Sequence, residues 1–105
     1  MQVMTTLPQE NLNDVPQAAR NAEMVGFDMI ATMENRYEPF MPLAAAAIST
    51  KTINIGTAVA IAFPRSPMVV ASTCWDLNNA SGGRFVLGLG PQIKPHNEKR
   101  FSVPW

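Results

Sequence analysis

Charge is scarce in this sequence and balanced in sign. Only 15% of the 105 residues are charged, against about 25% in an average soluble domain, and 8 basic residues balance 8 acidic ones. A formal net charge of zero provides no basic surface of the kind that attracts nucleic acid or anionic membranes. We therefore expect neither nucleic acid nor a membrane as a partner.

Cysteine and long apolar runs are also scarce. The one cysteine, Cys74, cannot form an intramolecular disulfide, which is typical of proteins in a reducing compartment. The longest unbroken apolar runs, residues 43–48 and 58–63, have six residues each, whereas a membrane-spanning helix needs about 20. The first residues also lack the basic and apolar regions of a secretory signal. Together these absences predict a cytoplasmic protein.

Strand-like and helix-like segments alternate along the chain. Residues 15–25 form the clearest helix, since apolar residues recur there at helical spacing and Gly26 follows as a stop. Asp14 and Ser66 are the expected N-caps of the first and third helices. The other helices are predicted over residues 40–50 and 67–81, and strands over residues 2–7, 27–33, 53–59 and 84–89. This alternation indicates a parallel sheet with right-handed crossovers, followed by a tail that forms a loop with one helical turn at most.

Ligands of a parallel α/β sheet bind at the carboxyl ends of the strands, so residues such as Thr6 there are candidates for function. Glu34 is the one carboxylate at such an end that would face a cleft. It is either a functional group, a solvated loop residue or a partner of a helix N-cap. His96 is either a general acid in the final loop or an ordinary surface residue. No spacing of His, Cys, Asp and Glu predicts a metal site.

Gly88 and Gly90 flank one residue at the end of the fourth predicted strand. A dinucleotide-binding motif would require a third glycine where Ile93 stands, so that interpretation fails. The two glycines instead indicate close approach of the backbone to a ligand or to a neighbouring strand. A cleft with few titratable groups and much backbone is suited to an organic cofactor that supplies the chemistry.

Three motifs occur in order along the second half of the chain. They are Gly56-Thr57 in the third strand, Arg65-Ser66-Pro67 at a helix start, and the Ser-Gly-Gly-Arg-Phe turn of residues 81–85. In this combination residues 1–105 resemble the luciferase-like monooxygenase superfamily, most closely its coenzyme F420-dependent oxidoreductases. The resemblance implies a (β/α)8 barrel that binds F420, or alternatively FMN, at the carboxyl ends of its strands and transfers hydride to or from an organic substrate.

The same resemblance implies roles for individual residues. The third strand would end in a bulge with a non-prolyl cis peptide that supports the cofactor ring. Gly88 and Gly90 would line the pocket, and Glu34 or His96 would position substrate or relay a proton. Thr6 and Asn35 are the expected substrate contacts. The residues of the expected bulge are Thr57, Ala58, Val59 and Ala60.

The length of the chain conflicts with the implied fold, because a complete barrel has about 250 residues. We therefore expect residues 1–105 to form the N-terminal half of a barrel. Its fold class is α/β, with four parallel strands, three intervening helices and a C-terminal loop tail. One hypothesis is a truncated oxidoreductase. Another is an inactive chain that self-associates, as a homo-oligomer or with a missing C-terminal half, through unpaired strand edges and the Phe101 and Trp105 side chains.

Overall fold

The computed structural model describes the whole chain, Met1–Trp105. A short 3-10 turn, Leu12–Asp14, leads into the first α-helix. The elements in chain order are β1 (Met4–Thr6), α1 (Val15–Val25), β2 (Met29–Thr32), α2 (Phe40–Ser49), β3 (Asn54–Thr57), β4 (Ala60–Ile61), α3 (Pro67–Ala80), β5 (Phe85–Val86), β6 (Leu89–Gly90) and α4 (Lys94–Arg100).

The main sheet has four parallel strands in the order β1, β2, β3, β5. Its register places Ile30 opposite Ile55 and Ile55 opposite Phe85. Strands β4 and β6 form a separate parallel pair, with Ala60 opposite Leu89. Helices α1, α2 and α3 connect successive strands of the main sheet. The predicted α/β architecture of four parallel strands with three intervening helices is confirmed.

Each of the last two predicted strands is interrupted. Residues 53–59 were predicted as one strand, but β3 ends at Thr57 and β4 begins at Ala60. The ladder with β2 continues as far as Ala58, which donates its N–H to Thr32 O at 2.7 Å, and the strand breaks at the Ala58–Val59 peptide. Residues 84–89 divide in the same way into β5 and β6, and Gly88 lies in the gap. A continuous apolar run does not reveal such a break, because the residues on both sides of it are buried or apolar.

The buried core lies between the sheet and the three connecting helices. Ile30, Ile55 and Leu43 are fully buried in one cluster, and each contributes about 1.5–3 kcal/mol through burial of its side chain. The small side chains of α2 let this helix lie close to the sheet. The opposite face of the sheet is open, since Met4 and Val86 are 53% and 48% exposed.

The helix ends agree only in part with expectation. Helix α1 spans the predicted residues and stops at Gly26, whose φ is 103°. Asp14 and Ser66 occupy the N-cap positions of α1 and α3, as predicted, but neither side chain forms the capping hydrogen bond. Proline in the first turn of α1 and α3 reduces the number of N–H groups that need a partner. Helix α2 is capped by Glu38, whose carboxylate accepts two N–H groups at 2.7 Å.

The C-terminal tail is more helical than predicted, because α4 has seven residues where a loop was expected. Asn97 is fully buried, and its side-chain amide donates to Pro91 O at 2.8 Å. The Trp105 ring meets the Phe63 ring edge-on, with 5.6 Å between the centroids. The Trp105 contact joins the tail to a distant loop, so a short-range pattern does not predict it. None of the helices combines the length and apolar character needed to cross a membrane.

Arg84 and Glu23 connect the loops at the amino end of the sheet. The Arg84 guanidinium group donates at 2.5 to 3.1 Å to the Thr50 hydroxyl and to the carbonyl oxygens of Ala47, Thr50, Ile53 and Ser81. The Glu23 carboxylate accepts the N–H groups of residues 51–53. Burial alone raises the pKa of Glu23, but these hydrogen bonds outweigh it and lower that pKa to about 2. The arginine of the Ser-Gly-Gly-Arg-Phe motif therefore has a structural role.

Candidate functional site

The chain between β3 and β4 forms a bulge at the carboxyl end of the sheet. The peptide bond between Ala58 and Val59 is cis, within the four residues for which the resemblance implied it. Val59 O accepts the N–H of Glu34 at 3.3 Å, which links the bulge to the end of β2. Both bulge residues are exposed, and neither Ala58 O nor the Val59 N–H has a hydrogen-bond partner in the chain. The bulge therefore leaves one backbone acceptor and one backbone donor without a partner in the chain.

Gly88 and Gly90 make room for this bulge. The Thr57 hydroxyl donates to Gly88 O at 2.7 Å and accepts the Gly88 N–H at 2.9 Å. A Cβ atom at position 88 would overlap the backbone oxygen of Thr57, and one at position 90 would lie 2.7 Å from Val59 Cγ2. Of the two explanations left open by the sequence, close approach to a neighbouring strand accounts for Gly88, while Gly90 leaves room for the Val59 side chain of the bulge.

A cavity of about 240 Å³ lies beside the bulge. It brings together five of the predicted site residues, Glu34, Asn35, Ala58, Val59 and Gly90. Thr57 and Ala60 are buried behind the bulge, and Gly88 contacts Thr57; these three do not line the cavity. The full lining is Met33, Glu34, Asn35, Ala58, Val59, Ile61, Gly90, Pro91 and Gln92.

A larger cavity of about 550 Å³ adjoins the first one. The two cavities share Met33 and Asn35 as lining residues, so they meet along the loop after β2. Thr6 and Asn35, the predicted substrate contacts, both line the larger cavity. Its other residues are Leu7, Pro8, Gln9, Glu10, Met33, Arg36 and Tyr37.

His96 lies apart from both cavities. It is exposed on α4, so its predicted position in a loop is wrong. It lines neither the cavity beside the bulge nor the adjoining one. The structure therefore groups Glu34 with the bulge and leaves His96 outside this group. No cluster of three or more His, Cys, Asp and Glu side chains is present that could hold a metal ion.

Glu34 is neither solvated nor an N-cap partner. Only 6% of the residue is exposed, and its carboxylate accepts the Ile61 N–H and the Arg65 guanidinium group, both at 2.6 Å. The carboxylate that accepts N–H groups at the start of α2 is that of Glu38, four residues later. Arg65 does not line the smaller cavity, but its charge offsets that of Glu34, the one charged side chain in the lining.

Arg65 is the residue that sequence reasoning missed. Its guanidinium group also donates to Ile61 O at 2.9 Å, contacts the Glu38 carboxylate at 3.4 Å, and lies 5.2 Å from the centre of the Phe40 ring. The sequence places it in a recognisable motif but supplies no sign of its partner, because Glu34 is 31 residues away.

Comparison of the sequence with known proteins shows the family of this chain. The family model described as luciferase-like monooxygenase matches residues 1–105. The chain belongs to the luciferase-like monooxygenase family. One family relative, an uncharacterized protein of Mycobacterium tuberculosis, is 52% identical over 88 residues, which are 84% of this chain and 26% of the relative. The chain thus spans about a quarter of the length of the curated relatives that it matches.

Solved structures show the same fold in larger enzymes. The coenzyme F420-dependent tetrahydromethanopterin reductase of Methanopyrus kandleri superposes with a TM-score of 0.84 at 27% identity, over 99% of this chain and 30% of the reductase. The oxygenating constituent of 3,6-diketocamphane monooxygenase from Pseudomonas putida, solved with FMN, has a TM-score of 0.80 over 99% of this chain and 33% of its own. Its identity is 20%, so it establishes the fold alone. Both larger enzymes share the α/β fold of parallel strands and connecting helices described here.

Proposed function

We propose that this chain forms the ring-binding part of an F420-dependent oxidoreductase, which transfers hydride between the deazaflavin and an organic substrate. One observation carries the proposal: the exposed bulge at the carboxyl end of the sheet, where Ala58 O and the Val59 N–H lack partners beside a cavity. This is the end of a parallel α/β sheet at which ligands bind.

The residues around the bulge fit a flat, polar-edged ring. Glu34 is the one charged residue in the cavity lining, and Arg65 offsets its charge. The remaining lining consists of apolar side chains, the Asn35 and Gln92 amides and backbone. A bound deazaflavin would supply the carbon that accepts or donates hydride. Ala58 and Val59 would support one face of the ring, and their unpaired groups would bond to its polar edge.

The adjoining cavity supports the proposed position of the substrate. It shares Asn35 with the cavity beside the bulge, so a molecule held there by Thr6 and Asn35 would lie next to the ring. A volume of about 550 Å³ falls within the range of about 300 to 1,000 Å³ typical of small-molecule sites. We infer a small organic substrate with polar groups, since amide, hydroxyl and charged side chains line this cavity.

F420 is preferred over FMN because of the relatives. The coenzyme F420-dependent reductase of Methanopyrus kandleri is 27% identical to this chain, whereas the monooxygenase solved with FMN is 20% identical. FMN with oxygen activation remains the alternative within the family. Titration of the chain with each cofactor in turn distinguishes F420 binding from FMN binding.

A different function has its own supporting observation. The outer edges of β1 and β5 are unpaired, and Met4 and Val86 are exposed on the open face of the sheet. We propose as a second candidate that the chain self-associates through these surfaces without catalysis. Sedimentation velocity tests this candidate: concentration-dependent oligomers support it, and a monomer at all concentrations contradicts it.

The cofactor proposal is tested by fluorescence titration of the purified chain with F420 and, separately, with FMN. The variant Ala58→Glu places a charge on the exposed bulge, and Ala44→Glu places the same charge on an exposed alanine of α2 as the matched control. We expect saturable binding of F420 by the wild type and by A44E, and a Kd raised roughly tenfold or more in A58E, since tenfold is about 1.4 kcal/mol. No fluorescence change of either cofactor with the wild type would overturn the proposal.

A further inference from the structure

We propose that Glu34 and Arg65 form a positioning pair that takes the place of a missing strand beside β4 and so sets the conformation of the bulge. The relevance of the pair to a bound cofactor ring rests on the proposed function. The effect of the pair on the conformation of the bulge does not depend on that function. In this arrangement Glu34 acts through Ile61 and Arg65 rather than as a proton carrier, the role implied for it by the resemblance.

Strand β4 has a hydrogen-bonded neighbour on one side only. Its partner is β6, to which it bonds through the N–H groups of Ala60 and Ala62, at 2.8 and 2.9 Å from Gly88 O and Gly90 O. Backbone groups alternate in direction along a strand, so the N–H and C=O groups of Ile61 face the other side. No strand pairs with β4 on that side.

The Glu34 and Arg65 side chains bond to both of those groups. The Glu34 carboxylate accepts the Ile61 N–H at 2.6 Å, and Arg65 donates to Ile61 O at 2.9 Å. The two side chains also bond to each other at 2.6 Å, so they close a ring of hydrogen bonds around one buried residue. Left unpaired, each buried group of Ile61 would cost about 1–3 kcal/mol.

The same pair holds the bulge from its other end. The backbone N–H of Glu34 donates to Val59 O at 3.3 Å, while its side chain holds Ile61. One residue therefore contacts the chain on each side of Ala60, where the bulge joins β4. Arg65 in turn is fixed against the Phe40 ring and the Glu38 carboxylate, which joins the pair to the start of α2.

Amide hydrogen exchange measured by NMR tests the pair at single residues. The variants are Arg65→Met, Glu34→Ala and Glu34→Gln, and the matched control is Arg84→Met. Arg84 is also partly buried and also donates to backbone carbonyls, but at the opposite end of the sheet. An amide that opens locally exchanges faster than the rest of the protein, whereas a global loss of stability raises all protected amides together.

We expect E34A and R65M to speed exchange of the Ile61 and Glu34 amides roughly tenfold more than exchange of Ile30 or Ile55 in the core. R84M should change these amides and the core amides by the same factor. E34Q should restore part of the Ile61 protection, because its amide oxygen still accepts a hydrogen bond. If R65M does not fold, exchange at Ile61 and in the core is compared in R65K and E34Q instead.

Uniform changes in E34A and R65M, or an unchanged Ile61 rate, would overturn the positioning role. A titration with F420 adds a second readout, in which R65M should raise the Kd more than R84M does. If the wild type binds neither F420 nor FMN, the proposed function fails, and the exchange pattern at Ile61 still decides whether the pair holds the bulge.

Discussion

Gly88→Ala is the substitution that tests most sharply how the bulge is built. An alanine Cβ at position 88 would overlap the carbonyl oxygen of Thr57, which belongs to backbone and cannot rotate away. The two hydrogen bonds between the Thr57 hydroxyl and Gly88, at 2.7 and 2.9 Å, resist separation of the two segments. Relief of the overlap therefore requires movement of β3 away from the residues that precede β6.

The expected loss in the free energy of unfolding of G88A follows from comparison with Gly90→Ala. At position 90 the added Cβ would lie 2.7 Å from Val59 Cγ2, which is a side-chain atom on an exposed residue and can shift. Overpacking that backbone must absorb costs about 2–3 kcal/mol, and overpacking that a side chain absorbs costs about 1 kcal/mol. In a domain of this size, 1 kcal/mol corresponds to a fall in Tm of about 4–8 °C.

Urea unfolding followed by circular dichroism measures both free energies of unfolding. We expect G88A to lose at least about 1 kcal/mol more than G90A at an unchanged m value. Equal losses, or a G88A variant as stable as the wild type, would show that the glycine is not required by the neighbouring strand. A stable G88A variant that had lost only F420 binding would instead favour the ligand as the reason for the glycine.

Other predictions follow from the amino end of the sheet and from α3. Arg84→Met should lower the free energy of unfolding by about 2–4 kcal/mol, since it removes five hydrogen bonds from a charged donor, and urea unfolding measures the loss. A loss below 1 kcal/mol, at about the level of an exposed ion pair, would contradict that role. The pKa of Glu23 is lowered from 4.5 to about 2, so its contribution is complete above pH 5 or so and disappears as the pH falls toward 2; thermal unfolding at several pH values should show this loss in the wild type and little of it in Glu23→Gln. Solvent screening reduces that contribution to about 2 kcal/mol, and identical pH profiles in the two proteins would disprove it. Burial raises the pKa of the Cys74 thiol, so at pH 8 its reaction with a thiol reagent should be slower than that of free cysteine, and a rate equal to that of free cysteine would count against burial on α3.

Much of the fold is predictable from the sequence because short-range patterns determine it. The helix over residues 15–25 has helical spacing and ends at a glycine with positive φ, so its bounds follow from local chemistry. The four parallel strands follow from alternation with helices. The breaks near Ala58 and Gly88, in contrast, lie where Thr57 and Gly88 meet across 31 residues of sequence, and the tail packs through Trp105 on the distant Phe63 ring.

The candidate site was predicted in position but not in its internal organisation. The positions of the strand ends and the family resemblance predict a site that includes Glu34, Asn35 and the bulge. Glu34, Asn35 and the bulge residues Ala58 and Val59 line one cavity. The pairing of Glu34 with Arg65 joins two loops that are 31 residues apart in sequence, so no spacing rule indicates it. His96 illustrates the opposite case, since a residue type suited to catalysis lies on an exposed helix away from both cavities.

Binding of a deazaflavin at the bulge is the central claim, and NMR of the ¹⁵N-labelled chain titrated with F420 tests it most directly. We predict that the largest shift changes occur at the amides of Ala58, Val59 and Asn35, and that amides near Arg84, at the other end of the sheet, stay unchanged. A spectrum unaffected by F420, or changes confined to the exposed face of α3 around Trp75, would contradict the account.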